Sequence, residues 1–584
     1  MRIAICSFPG DLSAYVGEML KTWGLPLYDL VRPEALPTLN PADVPVVICP
    51  ASNDARLYAA SLIDYARRGG TVVCFLPEGE LATAAGLEDA GEKELPLRLR
   101  ITEHPAGGLA GELLPIVGHA HTYRAASEVK ALAYLSHPAR YEGESLGITE
   151  QCVGQGTIIA FAFDLTLGVL MLRQGDPARV GVIPAIDDYP RASHLAADIG
   201  PADAGWAPFA DLLSHFFVET VQRALRAPTP LLWHLPAGAA SIVLFSGDED
   251  SSTVAWNEDE MDYVAAAGAR MNLYVIPTST RSTRADVQRY TARHDVGPHP
   301  DLEAMRNRPA PELLKELERQ IRIFQETFQA PARSLRTHCL IWAGYMEHVE
   351  ALERLGVRMD SSYFCARLMR GREFAPYEAF GAAMPMRFCR PDGRLFQVFQ
   401  QHLHLSDDLM FGNADYSYKL SPQQFKVILR RILSDSATRF HTPYAVIIHP
   451  ENWALFSRPQ GQEILRQAAQ SGIPVWSFDQ WLTFWEARDT WLFDDVSWDG
   501  ASLQFTLAGS APHDGLCFAI PTGHAGMSLD QVKVNGEATD WRQVVRYGKA
   551  VALVSLPPGK QTVSVRSTYG QYLRNACGSA SGAV

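Results

Sequence analysis

The segment Ser241-Ile242-Val243-Leu244-Phe245-Ser246-Gly247-Asp248-Glu249-Asp250 passes from an apolar run directly into three acidic residues. Residues 241–245 have the composition of a buried β-strand, so the carboxylates are predicted to lie at its carboxyl end. Like charges this close raise one another's pKa unless a cation neutralises them. The segment therefore predicts a strand that ends either in a cation site or in a solvated acidic turn.

Four further stretches place reactive side chains where predicted strands end. They are residues 294–303 with His299 and Glu303, 335–338 with Arg336 and His338, 359–363 with Asp360, and 445–452 with His449. His299 and Glu303 are four residues apart, and such a pair on one helical face can share a metal. Taken singly, Arg336 or Asp360 also fits half of a surface ion pair, and His449 fits a helix cap.

Around these stretches the chain divides into three predicted domains and a tail. Residues 1–227 alternate short apolar strands with amphipathic helices, which predicts an α/β domain with a parallel sheet. Residues 228–488 again mix strands and helices. Residues 489–570 carry short alternating runs separated by turn signals such as Asn535-Gly536, which predicts an all-β sandwich. Residues 571–584 are predicted to be a disordered tail.

Composition narrows the class of protein. Lys+Arg 52 against Asp+Glu 65 gives a net charge of −13, which argues against nucleic acid or an anionic membrane as the main partner. No apolar run is long enough for a spanning helix. The first residues read as a strand rather than a signal peptide, and the nine cysteines contain no C-x-x-C pair. We therefore expect a reduced, cytoplasmic protein; its oligomeric state is left open.

The order and spacing of the five stretches resemble the NodB-like polysaccharide deacetylases (carbohydrate esterase family 4) over roughly residues 240–450. That family carries an Asp pair after its first strand, a His-x-x-x-His motif, an Arg-containing loop, an Asp-x-x-Asp-Trp motif and a Leu-x-His motif. In this chain the similar stretches are Asp248/Asp250, residues 294–303, Arg336, residues 360–363 (only loosely) and Ile447-x-His449. The resemblance implies an irregular (β/α)7 barrel in the centre of the chain.

The same resemblance implies a metal-dependent hydrolase that removes an acyl group from a carbohydrate or a related amide or ester. It implies a divalent metal, for which we expect zinc. The implied roles are Asp248 as general base, Arg336 as its electrostatic partner, His449 as general acid, and Asp250, His299 and either His338 or Glu303 as metal ligands.

This chain departs from the family pattern at two positions. Glu249 separates the two aspartates, and Glu303 stands where the family has its second histidine. We favour His338 over Glu303 as the third ligand, because a second carboxylate would reduce the Lewis acidity of the metal. His402 and His404 are further candidates, although roles in the core or in substrate contact suit them better.

The first 227 residues resemble the flavodoxin-like, class I glutamine amidotransferase-like domains. Enzymes of that class need a nucleophilic cysteine at a sharp strand-to-helix elbow. Cys49 and Cys74 lie within or at the ends of predicted strands, without the flanking glycines of such an elbow. This domain is therefore predicted to be non-catalytic.

Two rival functions remain open at this stage. A glycoside hydrolase on the same barrel would use two carboxylates and no metal, and it would draw them from Asp248, Glu249, Asp250 and Glu451. The other rival function is that of a non-catalytic carbohydrate-binding protein with a degenerate barrel. This alternative stays open because Glu303 replaces the second histidine of the family motif.

Overall fold

The computed structural model describes residues 1–93, 95, 97–102, 108–137, 143–184, 187–196, 207–364, 381–414 and 417–571. It is a mixed α/β protein with large sheets and a sheet-rich carboxyl-terminal part. The predicted tail, apart from Gln571, lies outside the described residues.

A nine-stranded sheet organises the amino-terminal part, with β5 and β8 paired apart from it. The elements are β1 (Ile3–Cys6), α1 (Ser13–Thr22), β2 (Tyr28–Val31), β3 (Val46–Cys49), α2 (Ala59–Arg67), β4 (Thr71–Phe75), α3 (Gly79–Ala84), β5 (Leu87–Glu92), β6 (Leu97–Ile101), β7 (Leu113–Ile116), β8 (His121–Ala125), β9 (Lys130–Ser136), β10 (Ser145–Val153), β11 (Gly156–Phe161), α4 (Leu165–Gln174), α5 (Ala192–Leu195) and α6 (Phe209–Ala224).

Only half of this sheet is parallel. Strands β2-β1-β3-β4-β11 are parallel and follow the 2-1-3-4-5 order of flavodoxin-like sheets. Strands β10, β9, β6 and β7 continue the sheet in antiparallel fashion. The prediction of a parallel sheet was therefore wrong for this half. The described residues between positions 87 and 161 contain no helix, and strands joined without a crossover helix pair antiparallel.

The central part alternates short strands with helices. Its elements are β12 (Leu231–Leu232), β13 (Ile242–Asp248), α7 (Val254–Ala266), β14 (Asn272–Val275), α8 (Arg284–Thr291), β15 (Asp295–Pro298), α9 (Ala310–Phe328), β16 (Ser334–Leu335), α10 (Glu347–Arg354), β17 (Met359–Asp360), β18 (Met386–Cys389), β19 (Leu395–Gln400), β20 (Leu405–Ser406), α11 (Asp407–Phe411), α12 (Pro422–Asp435), β21 (Pro443–Ile447), α13 (Pro450–Asn452), α14 (Arg458–Gln470), β22 (Val475–Trp476) and α15 (Phe478–Asp489).

The parallel strands of this part lie in two sheets. One has the order β15-β14-β13-β21-β20, with β22 added to the start of β13, and the other has the order β16-β17-β19-β18. The strands follow one another as they would around a barrel. Among the described residues, however, no strand ladder joins β15 to β16 or β19 to β20. Closure of the predicted (β/α)7 barrel therefore stays a prediction.

Two antiparallel sheets make up the carboxyl-terminal part. Its strands are β23 (Leu492–Trp498), β24 (Ser502–Ala508), β25 (Cys517–Pro521), β26 (Gly523–His524), β27 (Met527–Val534), β28 (Glu537–Ala538), β29 (Arg542–Arg546), β30 (Lys549–Ser555) and β31 (Thr562–Gln571). Phe505 of one sheet meets Phe518 of the other with ring centroids 5.6 Å apart. Asn535 and Gly536 adopt φ of +52° and +89°, the left-handed conformations that a tight hairpin turn needs.

The second of these sheets has the order β12-β25-β30-β29, so it includes residues 231–232 from far upstream. The predicted domain boundary at residue 489 therefore assigns β12 and the rest of its sheet to different domains. Among the described residues, no helix combines the length and the apolar character needed to cross a membrane.

Candidate active site

The carboxyl ends of the parallel central strands bring the predicted site residues together. Asp248 is the last residue of β13, and His299 and Arg336 directly follow β15 and β16. His338 comes two residues after Arg336, and His449 comes two residues after β21 ends at Ile447. Because parallel strands end at one edge, residues far apart in sequence meet there.

A buried ion pair links Asp248 to Arg336. The Nη1 atom of Arg336 donates to Oδ1 of Asp248 at 2.6 Å, and the two residues are 0% and 3% exposed. The guanidinium also lies over the rings of Tyr274 and Phe478, with its Cζ 4.7 and 5.2 Å from their centroids. This packing fixes the orientation of the Asp248 carboxylate.

Three imidazoles face the carboxylate of Asp250. The Nε2 atoms of His299 and His338 lie 3.3 and 3.7 Å from its Oδ1, and Nε2 of His449 lies 3.6 Å from its Oδ2. Asp250 Oδ1 is buried and makes no hydrogen bond to any described residue, since the His299 contact lies outside hydrogen-bonding geometry. Asp250 itself has φ +44°, a strained conformation of the kind that clusters at functional sites.

The opposite ring nitrogen of each imidazole lies beside an oxygen. Nδ1 of His299 is 2.8 Å from the backbone oxygen of Arg336. Nδ1 of His338 is 3.2 Å from Asp301, and Nδ1 of His449 is 2.6 Å from Asp407. An oxygen acceptor at Nδ1 favours the tautomer that leaves Nε2 able to bind a cation, as at histidine metal sites.

The charges in this cluster stabilise one another. Burial opposes ionisation of Asp250, but the imidazoles of His299, His449 and His338 hold the pKa of its carboxyl well below the usual range. Burial would lower the pKa of His338, but its bonds to Asp301 and Cys339 and the charge of Asp250 raise it to about 11. The cluster therefore keeps a carboxylate ionised at its centre.

His449 is similarly polarised. Burial would lower the pKa of His449, but the charge of Asp407 and its hydrogen bond raise that pKa well above the usual value. Asp407 also accepts hydrogen bonds from the backbone N–H of His449 and from the hydroxyl of Ser457. His449 is thus held in one orientation as an imidazolium.

Asp250, His299 and His338 have the right donor atoms for a divalent metal. One ligand atom from each lies within 4.8 Å of the others, and a carboxylate with two imidazoles is a donor set that zinc accepts. The Oδ1 atom of Asp250, which lacks a hydrogen bond, and the two Nε2 atoms that face it are the atoms that would bind the metal.

Glu303 lies in a second group, with His338 and Cys339. Its carboxylate accepts a hydrogen bond of 2.7 Å from the hydroxyl of Tyr189, which lies about 40 residues before the central part begins. The described contacts thus join His338, and not Glu303, to Asp250 and His299.

The remaining candidate residues, Asp360, His402 and His404, are all buried. Asp360 is buried and accepts hydrogen bonds from the backbone and hydroxyl of Ser362, and burial raises its pKa to about 7. His402 and His404 are buried, and Nδ1 of His404 accepts from the backbone N–H of Ala445. Burial lowers the pKa of His404 to about 4, which suits a neutral structural histidine.

The carboxylates that a glycoside hydrolase would need are unequally placed. Glu249 is fully buried and accepts hydrogen bonds of 2.8 Å from Asn257 and Ser282, on the side of α7 and α8. Burial raises its pKa. Asp250 is enclosed by imidazoles and Asp248 by Arg336. This arrangement disfavours a reaction that uses two carboxylates on opposite sides of a sugar.

Sequence reasoning missed three carboxyl groups of the site. Asp407 and Asp301 orient His449 and His338, and Glu260 of α7 lies beneath the site with both carboxyl oxygens lacking a hydrogen-bond partner among the described residues. Burial raises the pKa of Glu260 well above its usual value. Asp407 and Asp408 follow β20 as Asp248 ends β13, but β20 contains only two residues and gives no strand pattern in the sequence.

The two candidate cysteines of the amino-terminal part are buried in its parallel strands. Cys49 and Cys74 are each 1% exposed. Burial raises the pKa of the Cys74 thiol to about 12, and a hydrogen bond with Cys6 together with burial raises that of Cys49. Both thiols are inaccessible and protonated, which is unfavourable for nucleophiles.

No family model and no curated protein matches this chain. Among solved structures it is similar to Agd3, described as a novel carbohydrate deacetylase, with 11% identity, coverage of 96% of this chain and 98% of that one, and a TM-score of 0.40. It is also similar to a Mycobacterium smegmatis protein provisionally named a polysaccharide deacetylase, with 13% identity, coverage of 44% and 93%, and a TM-score of 0.33. A β-galactosidase from Rahnella sp. R3 matches at 14% identity, coverage of 28% of each chain and a TM-score of 0.22. Superpositions this loose leave the activity to be argued from the site itself.

Proposed function

We propose that this protein is a metal-dependent hydrolase that removes an acyl group, such as acetyl, from a carbohydrate amide or ester. The observation that carries the proposal is the convergence of the His299, His338 and His449 Nε2 atoms on Asp250, beside the buried Asp248–Arg336 pair. The order of these residues along the chain, which resembles the NodB-like deacetylases, supports the same reading.

Asp250, His299 and His338 would hold the metal, for which we propose zinc. A bound divalent metal supplies positive charge that polarises an acyl carbonyl and lowers the pKa of water. Because metal binding needs neutral imidazoles, it would release the proton that His338 otherwise holds.

Asp248 would act as the general base. Its Oδ1 is held by Arg336, while its Oδ2 lies 3.7 Å from Nε2 of His299 and so borders the metal cluster. The hydrogen bond from Arg336 fixes the direction of the carboxylate. Asp248 can therefore accept a proton from the attacking water.

His449 would act as the general acid. The charge of Asp407 and its hydrogen bond favour the protonated form of His449. The Nε2 atom of His449 faces Asp250 from beyond the end of β21, whereas Asp248 lies at the end of β13. A protonated Nε2 can donate to the leaving amine or alkoxide as the acyl bond breaks.

The test is release of acetate from N-acetylated and O-acetylated oligosaccharides by the full chain. We expect activity that a chelator abolishes and added Zn²⁺ restores. The matched variants are Asp248→Asn and Asp494→Asn, since Asp494 is an exposed acidic residue of β23 outside the site. Chelator-resistant hydrolysis of glycosidic bonds would instead establish the glycoside hydrolase alternative. Absence of both metal and activity would leave a carbohydrate-binding role and refute the proposal.

A further inference from the structure

A cavity of about 270 Å³ lies on the side of the candidate active site where Arg191 contacts Cys339. Residues 179–183 and 190–195 contribute one wall, and residues 306–313 together with 342–344 contribute another. No acidic residue is among the described residues that line it, and the ionisable or aromatic ones are Arg179, Arg191, His194, Arg306, Arg308 and Trp342. A cluster of four arginines is unexpected on a chain with a net charge of −13.

Only part of this positive charge is neutralised by described carboxylates. Asp187 lies 2.6 Å from Arg191 and 3.0 Å from His194. Although burial opposes it, bonds to these two groups hold the pKa of the Asp187 carboxyl below its usual range. The exposed Arg308 is 4.0 Å from Glu312.

The described contacts occupy the guanidinium of Arg306 only in part. Its Nη1 donates to the backbone oxygen of Glu303 at 3.2 Å, and its Cζ lies 5.7 Å from the ring centroid of Tyr189. No carboxylate among the described residues lies within ion-pair distance of it. A guanidinium with free N–H groups at the rim of a cavity binds a carboxylate in a bidentate manner.

Direct contacts tie this cavity to the active-site cluster. Arg191 donates to the backbone oxygen of Cys339, the residue after His338. Tyr189, over whose ring Arg191 and Arg306 both lie, donates to Glu303. Arg191, which lines the cavity, therefore contacts the residue next to the proposed metal ligand His338.

We propose that this cavity is a binding subsite for an anionic sugar, whose carboxylate is held by Arg306 while the neighbouring sugar presents its acyl group to the active site. The substrate class would thus be an acylated polysaccharide that contains uronic acids. This inference rests on the proposed function for the acyl group, but the binding of an anionic saccharide does not depend on turnover.

Calorimetric titration of the full chain with tetragalacturonate, and with a neutral galactose tetrasaccharide as control, tests the subsite. We expect the charged ligand to bind at least about 10-fold more tightly, because one charge-assisted hydrogen-bond pair contributes about that factor. Arg306→Gln is expected to remove this preference. Arg293→Gln, which removes an exposed arginine before β15 begins, is expected to keep it.

Equal binding of the two tetrasaccharides by the natural protein would overturn the proposal, as would unchanged binding of tetragalacturonate by Arg306→Gln. Arg308→Gln gives a second variant at an exposed position where folding is not at risk, and we expect a smaller loss of affinity there. If the protein binds tetragalacturonate as expected but releases no acetate, the proposed function fails while the subsite stands.

Discussion

At the scale of single residues, Asp248 carries the sharpest prediction. In the variant Asp248→Asn the Arg336 guanidinium keeps a neutral acceptor, but the base is lost, and we expect kcat to fall by roughly 10²–10⁴-fold. Metal content should be unchanged, because Asp250, His299 and His338 remain. Steady-state kinetics together with elemental analysis check both parts. A fully active variant would show that Asp248 is not the base.

The third metal ligand is a separate prediction. His338→Ala should lower metal affinity by at least about 10-fold, because it removes one of the three proposed ligands, which are Asp250, His299 and His338. Glu303→Ala should retain the metal, since Glu303 is bonded to Tyr189. Competition against a zinc-binding dye measures both affinities. If Glu303→Ala loses the metal and His338→Ala keeps it, Glu303 is the third ligand.

Residue types and their order predicted much of this site, and tertiary contacts supplied the rest. His449 could be predicted because it follows the apolar strand β21, and His299 because glycine and proline precede it where a strand turns into a loop. Arg336 follows the two-residue β16, and only the order of the motifs singled it out. Asp407 was missed because β20 contains only two residues, too few to show any period. Tyr189 lies 114 positions before Glu303, and no local pattern reports such a contact.

At the scale of elements, local signals worked where the chain is regular. Ser421-Pro422 predicts a helix start, and α12 does begin at Pro422, with a reciprocal capping box between Ser421 and Gln424. The antiparallel half of the first sheet was missed, because strand direction depends on the connections and not on the alternation of apolar residues.

Helix α4 carries a prediction about pH. Its cap, Asp164, accepts from the backbone N–H of Leu167 at 3.0 Å, and burial raises the pKa of its carboxyl to about 6. The unfolded value is near 3.9, so the folded state binds the proton more tightly, and stability is lost as pH rises from about 4 to 6. Asp164→Asn keeps the capping oxygen and cannot ionise. Its melting temperature relative to the natural protein should therefore rise between pH 4 and pH 7. A difference that does not change with pH would contradict this.

At the scale of the whole molecule, buried arginines connect the three parts of the chain. Arg546 of β29 donates to Nδ1 of His215 in α6 at 2.9 Å and lies over the ring of Trp23, so the last part is joined to the first. β12, the first strand of the central part, likewise pairs with the carboxyl-terminal sheet. The predicted domain boundaries follow changes in the local sequence pattern. These contacts join residues that lie on opposite sides of those boundaries.

Arg488, near the end of α15, gives the last prediction. It is 1% exposed, and its guanidinium donates four hydrogen bonds to backbone oxygens, those of Trp233, Leu232, Lys21 and Thr22. These carbonyls belong to the end of α1 and to the segment that contains β12, so one side chain holds three elements together. Leucine can fill part of the volume but leaves the carbonyls without donors, at about 1–3 kcal/mol for each buried group.

We therefore expect Arg488→Leu to lower the melting temperature by at least about 5 °C, since 1 kcal/mol corresponds to roughly 2–4 °C in domains of ordinary size. Arg466→Leu is the matched control, because Arg466 is exposed on α14 and pairs only with neighbours on its own helix. Its melting temperature should change by less than about 2 °C. Scanning calorimetry resolves whether the parts then melt separately. If Arg488→Leu melts in a single transition at the natural temperature, Arg488 does not join the parts, and packing alone must hold α1, β12 and α15 in place.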